Sequence, residues 1–364
     1  CRGGSGSGSG KGILMKKLLD RIFIDGLTGM AQGLFATLII GTIIQQIGTY
    51  CGGNIGDLIF TLGKVAAGLT GAGIGAGVAR KLDAGHLVIV SAAVAGMIGA
   101  FAGDVMSGSI VNEGSLVLSG PGEPLGAFVA AYIAIEIGIL ISGKTKLDII
   151  LTPLVCIGVG SAVGLLVGPP ISGFMSWLGS LINWGTEQQP FVMGIVVSVL
   201  MGMILTLPIS SAALGVILNL SGLAAGAATV GCCCNMIGFA VASFRENKFS
   251  GLLSQGIGTS MLQVPNIVRH PQIWLPPILS SAILGPVSTM VFHMTNNATG
   301  SGMGTAGLVG PLMTWQVMTQ SEAEMIVLVK IILIQFVLPA VITLLISEFM
   351  RKKKWIHFGD MKLE

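Results

Sequence analysis

The sequence predicts an all-α protein, a polytopic transmembrane helical bundle of about 8–10 spans in which some helices are broken or re-entrant. Three observations predict it. Hydrophobic residues make up 52% of the 364, charged residues 10%, and the mean hydropathy is +0.87, a balance that suits lipid rather than water as solvent. Charge falls in short islands between apolar runs of about 20 residues, the length that spans a hydrocarbon layer of roughly 30 Å. Several of those runs are interrupted by proline, serine and asparagine, which a plain membrane anchor does not need. The net charge of +3 implies nothing about nucleic acid, which is not an expected partner; the bilayer is.

The opening CRGGSGSGSG reads as a flexible linker, so residues 1–14 stand apart from a single membrane domain over 15–364 that begins at Met15. Five spans are expected at 27–48, 58–79, 87–101, 125–141 and 147–167, with Lys64 snorkelling to an interface. Lys16, Lys17 and Arg21 place the N-terminus in the cytoplasm. Arg80 with Lys81, and Lys144 with Lys146, mark later cytoplasmic loops, whereas the loops near Gly52 and over 104–122 hold neither Lys nor Arg.

At Gly168, Pro169 and Pro170 the chain is expected to leave the membrane on the outside. Trp177 and Trp184 then read as interface anchors around an external loop ending at Glu187, Gln188, Gln189 and Pro190. Two apolar runs follow, 191–218 and 223–244, before Arg245 and Lys248 claim the cytoplasm. Two full crossings would put that basic pair outside, so one run must be broken. The break is expected at Leu207, Pro208, Ile209, Ser210 and Ser211, where proline removes a donor and the hydroxyls can serve freed carbonyls. A second weak stretch, 256–271, is too polar and too short to cross, and a third runs over 296–304. Spans at 273–292 and 324–350 flank the third, and Arg351, Lys352, Lys353 and Lys354 open a basic tail, 351–364, that is cytoplasmic like the N-terminus.

Irregular backbone at membrane depth persists only against protein or a water-filled cavity, and secondary transporters bind their solutes there. The candidate substrate-binding residues are therefore Pro208, Ser210 and Ser211 at the first break, and Gln263, Asn266 and His270 at the second. His293, Asn296, Asn297 and Thr299 belong to the third. Together they offer donors and acceptors to a small polar solute such as a sugar. His270 is otherwise a loop histidine beside Arg269. Glu136 completes the set, because an ionisable group inside an apolar run faces either a cavity or a structural partner. Glu123, in GPGEP, is expected in an external turn. Cys51, Cys156 and the run Cys232, Cys233, Cys234 lack the spacing that grips a metal and read as packing residues. With no P-loop, zinc motif or nucleophile elbow, no cofactor, metal or catalytic residue is expected.

The stretch GAFVAAYIAIEIGILISGKTKLDIILTPLVCIGVGSAVGLLVGPPISGF, 126–174, resembles the membrane IIC component of phosphotransferase-system (PTS) sugar transporters, especially the fructose type. PISSAA at 208–213 resembles that family's P-V-N-K-A-A segment. VPNIVRHPQIWLPPI resembles its I-P-F-x-x-x-D-P-x-x-x-I-P-x-I element, with Pro265 and Pro271 at the family spacing. The resemblance covers roughly 125–311 and is similar above all to stand-alone IIC type proteins described as toxin regulators, of the perfringolysin-regulator kind. It implies a IIC transporter fold, alternating access for a small polar solute, a homodimer, and a separate IIB/IIA phosphocarrier if phosphate is transferred. Two departures bear on that last point. Ser260, Met261 and Leu262 stand where the fructose type has Thr-Glu-Gly, and Thr206 stands where it has an aspartate. Methionine can neither accept a hydroxyl proton nor hold a sugar by charge-assisted hydrogen bonds. Coupled phosphotransfer is therefore not implied, and a membrane sensor or regulator that keeps the fold without transport is the alternative.

Overall fold

The computed structural model describes residues 17–112, 114–118 and 120–363; the linker 1–14, Met15 and Lys16 lie outside the described residues. Within them, six helices are long and apolar enough to cross a membrane, or seven when a bent pair counts as one span. Helix α1 is Lys17–Cys51, and Gly52, at φ +62°, turns the chain into the bent pair α2 (Gly53–Gly68) and α3 (Thr70–Lys81), which meet at 51°. The shorter α4 (His86–Ala100) follows, then α5 (Pro124–Ile141), α6 (Asp148–Thr186) and the shorter α7 (Pro190–Thr206). Prolines open α5 and α7, where the missing N–H costs nothing. A two-residue hairpin, β1 (Val111–Asn112) against β2 (Ser115–Leu116), decorates the loop before α5.

The expected exit at Gly168, Pro169 and Pro170 is not a helix end. Helix α6 runs through Pro153, Pro169 and Pro170 to Thr186. Each proline loses one hydrogen bond, but in an apolar surrounding the neighbouring peptides find no better partners than one another. The 39 residues of α6 extend about 58 Å, well beyond a hydrocarbon layer of roughly 30 Å. Trp177 and Trp184 therefore lie exposed on this helix and not around a loop.

The run 191–218 is divided where the PISS sequence falls. Helix α7 stops at Thr206, Leu207 turns extended, and α8 (Ser211–Ile217) begins a new direction. Next come α9 (Gly222–Ala242), α10 (Phe244–Leu253), a short 3-10 turn Ser260–Gln263, and α11 (Val264–Arg269). Helix α12 spans Pro271–Val291, α13 is the four-residue Ala298–Ser301, α14 is Val309–Met318 and α15 is Glu324–Lys352.

Helices α1 to α6 pack among themselves, α7 to α15 do the same, and the two groups share a limited boundary. Glycines make the seams inside each group. Gly33 of α1 lies against Gly73 of α3, Gly194 of α7 against Gly285 of α12, and Gly231 of α9 against the backbone of Ser198, so main chain touches main chain. Helix α9 is the axis of the second group. Its most apolar stretch is 83% buried, against 22% for α6 and 28% for α15, whose bulky side chains face outward as lipid requires.

After α15 the chain turns at Lys354 (φ +59°) and Gly359 (φ +101°) and folds back. Ile356 and Met361 thereby bury themselves against Phe239, Ile267, Ile273 and Met350. The tail ends beside α1, where Lys362 and Leu363 face Thr28 and Gln32.

Candidate functional site

Three breaks converge on α9. Thr206, the last residue before the first break, places its hydroxyl 2.8 Å from Ser260 Oγ of the second break and 3.2 Å from Asn235 Oδ1 of α9. Trp274 Nε1 donates to the same oxygen at 3.1 Å, while Asn235 Nδ2 faces Gly231 O and Ser281 Oγ. The first and third breaks meet where Ser211 Oγ donates to Gly302 O at 2.6 Å. Asn296 points inward, its amide nitrogen 2.7 Å from Thr229 Oγ1, 3.0 Å from Thr314 Oγ1 and 3.1 Å from Gly310 O. These residues are buried and bonded to one another, so they fix the breaks and leave little for a solute.

The open part of the arrangement lies at the second break, on the boundary between the two groups. A cavity of about 490 Å³ is lined by Gln32 and Phe35 of α1, Glu246, Asn247 and Ser254, Leu262, and the tail residues Lys362 and Leu363. Beside it runs a chain of amides. Gln255 Nε2 donates to Ser243 Oγ at 2.9 Å, Gln263 Nε2 to Gln255 Oε1 at 2.8 Å, and Asn266 Nδ2 to Gln263 Oε1 at 2.8 Å. Asn266 lines a small adjoining pocket with Thr28, Gln32 and the tail, and Gln263, fully buried, is bonded to it from behind. His270 does not line the cavity; its Nε2 lies 3.7 Å from Asp360 Oδ1 of the tail.

Other candidates lie elsewhere. Pro208 and Ser210 are partly buried at the turn of the first break. His293, at φ +47°, is exposed, as is Thr299. Asn297 caps α13, its Oδ1 accepting from Gly300 N at 2.9 Å. Glu136 is paired with Arg21 Nε at 2.7 Å and lines neither cavity. Among the described residues no cluster of three or more His, Cys, Asp or Glu could hold a metal, and the cysteines of α9 are buried.

One carboxylate, Glu246, escapes the sequence reading, and a second, Glu123, reads there only as an external turn residue. Glu246 lines the cavity; Oε1 is 2.8 Å from Arg351 and 3.3 Å from the amide of Gly359, while Oε2 is buried with no partner. Glu123 is not a free turn residue: the amide of Ser210 faces its carboxyl across the boundary, beside that of Leu125. Burial pushes that carboxyl up to about 7, against the pull of those amides, and Oε1 has no partner. The available signal was, for Glu123, a lone acid in charge-poor sequence and, for Glu246, an acid set between Arg245 and Lys248 of the basic loop.

No curated protein matches the chain. The family described as Phosphotransferase system, EIIC matches residues 24–363, from within α1 to the end of the tail. A multi-pass helical bundle with broken helices around one axis and a match over nearly its whole length together establish that this chain belongs to the phosphotransferase system EIIC family of membrane transport proteins.

Proposed function

We propose that the chain binds a sugar or related polyhydroxylated solute in the cleft between α1 and the second break, and carries it across by moving the second helical group against the first. The cavity of about 490 Å³ carries this reading, because it lies on the boundary between the groups, is lined by Glu246 and Asn247, and adjoins the smaller pocket that Asn266 lines. Amides and a carboxylate together recognise vicinal hydroxyls, and the volume suits a small solute. With both termini cytoplasmic, the cleft opens toward the side where a separate IIB/IIA phosphocarrier would act. The outward-facing apolar side chains of α6 and α15 leave room for a homodimer as well as lipid.

Uptake into proteoliposomes across labelled sugars, polyols and small carboxylates tests the reading. One class should enter, and Gln263→Ala or Asn266→Ala should cut its uptake about tenfold while the protein still elutes as a single species. Uptake and binding of none of them by folded protein overturns it. One observation favours a second reading. The positions that resemble the fructose-type carboxylate sites hold Thr206 and buried Met261, and Thr206 is satisfied by Ser260. A sensor or toxin regulator that keeps the fold without flux would tolerate that exchange. Its signature is a deletion that changes gene expression and leaves solute uptake intact.

A further inference from the structure

The tail makes its closest polar contacts with the residues that the cleft offers a solute. Asn247 Nδ2 and Gln263 Nε2 both donate to Met361 O, at 2.8 and 2.9 Å, and Asn266 Nδ2 donates to Lys362 O at 3.0 Å. Asn247 Oδ1 in turn accepts from Leu363 N at 2.8 Å, and Glu246 Oε1 receives the Gly359 amide. On the tail side every one of these groups is backbone. The segment therefore presents the cleft with a row of carbonyl and amide groups, much as a solute presents hydroxyls.

Its attachment is local. Ile356 and Met361 are the buried apolar anchors, at 2% and 0% exposure, while Trp355, His357, Phe358 and Lys362 are exposed. The positive φ of Gly359 sets the reversal that lets both anchors bury. Asp360 closes the turn by accepting from His357 N at 2.8 Å. A segment held by two anchors and a few hydrogen bonds can leave without unfolding α15.

We propose that residues 355–363 are an intramolecular ligand of the cleft, occupying the amide donors of Asn247, Gln263 and Asn266 so that tail and solute exclude one another. The exclusion of solute rests on the transport reading above; the seat of the tail does not.

Thiol accessibility in nanodiscs tests it on the full chain with Cys1 and Cys51 changed to serine, Cys51 being the exposed cysteine among the described residues. Met361→Cys should react with a maleimide at least about tenfold more slowly than the exposed control Phe358→Cys, and Asn247→Ala should abolish most of that protection. Gln263→Cys, probed with a small methanethiosulfonate, should become accessible in the same background. Ile356→Glu provides a second way to expel the tail. In that variant, the free nonapeptide of residues 355–363 should protect Gln263→Cys again. Equal reactivity of Met361→Cys and Phe358→Cys overturns the proposal. So does release of Met361→Cys that leaves Gln263→Cys protected in both releasing variants. Neither readout involves solute, so a failed uptake screen and a failed tail proposal give different results.

Discussion

Glu123→Gln should stabilise the protein at neutral and alkaline pH and change nothing in acid. The carboxyl of Glu123 is lifted from an ordinary 4.5 to about 7 by burial at the boundary between the helical groups. Below pH 4.5 it is protonated in the folded and the unfolded chain alike and contributes nothing to the pH dependence. As pH rises from there the unfolded chain ionises while the folded chain keeps its proton, and stability falls until pH passes about 7. At about 1.36 kcal/mol per pH unit the gap corresponds to about 3 kcal/mol. Glutamine keeps an oxygen toward the amides of Leu125 and Ser210 and never ionises. Thermal unfolding in detergent, followed by tryptophan fluorescence at about pH 5 and about pH 8, should show the variant ahead of the wild type mainly at the higher pH. A difference of equal size at both pH values would refute the reasoning, since it would have a packing origin and no link to the proton.

Glu246→Ala should cost about 3–5 kcal/mol in thermal unfolding by leaving Arg351 buried without its carboxylate, and adding Arg351→Met should recover most of the loss. Gly231→Ala drives a methyl group into the backbone of Ser198 and should cost at least about 3 kcal/mol, seen as loss of the monodisperse species on size-exclusion chromatography. Glu136→Gln removes a pair whose partners are both about a third exposed, and should shift stability by less than about 1 kcal/mol with solute uptake unchanged.

The breaks were legible because proline and paired polar residues act on the chain around them. Pro208 with Ser210 and Ser211 marks the end of α7 to within two residues, and the polar run after Gly256 marks a segment that does not cross. Local rules failed at α6, where two adjacent prolines signalled an end that an apolar surrounding overrides. What the polar residues contact was not legible. Gln263 meets Met361 across 98 positions, and Asn266 meets Lys362 across 96, so no spacing pattern records either contact. The partners of Asn296 are hidden in the same way, since Thr229 lies 67 positions earlier on another helix. Thr206 and Ser260 show a different limit. Each alone reads as a departure from the family pattern, yet side by side the two hydroxyls satisfy each other.

The glycine seams also determine which movements the protein can make. Where Gly194 meets Gly285 and Gly231 meets Ser198, the surfaces in contact are carbonyls and Cα atoms, whose shape does not depend on side-chain rotamers. Such a contact has one register, and a helix cannot roll or slide within it without a clash of main chains. The boundary between the groups is built differently, from side-chain ends such as Phe35 against Gly258 and Leu218 against Gly179, which can exchange rotamers and neighbours. Displacement is therefore cheap along that surface and costly within each group, so a movement that slid one group past the other would leave the polar network inside the second group unchanged.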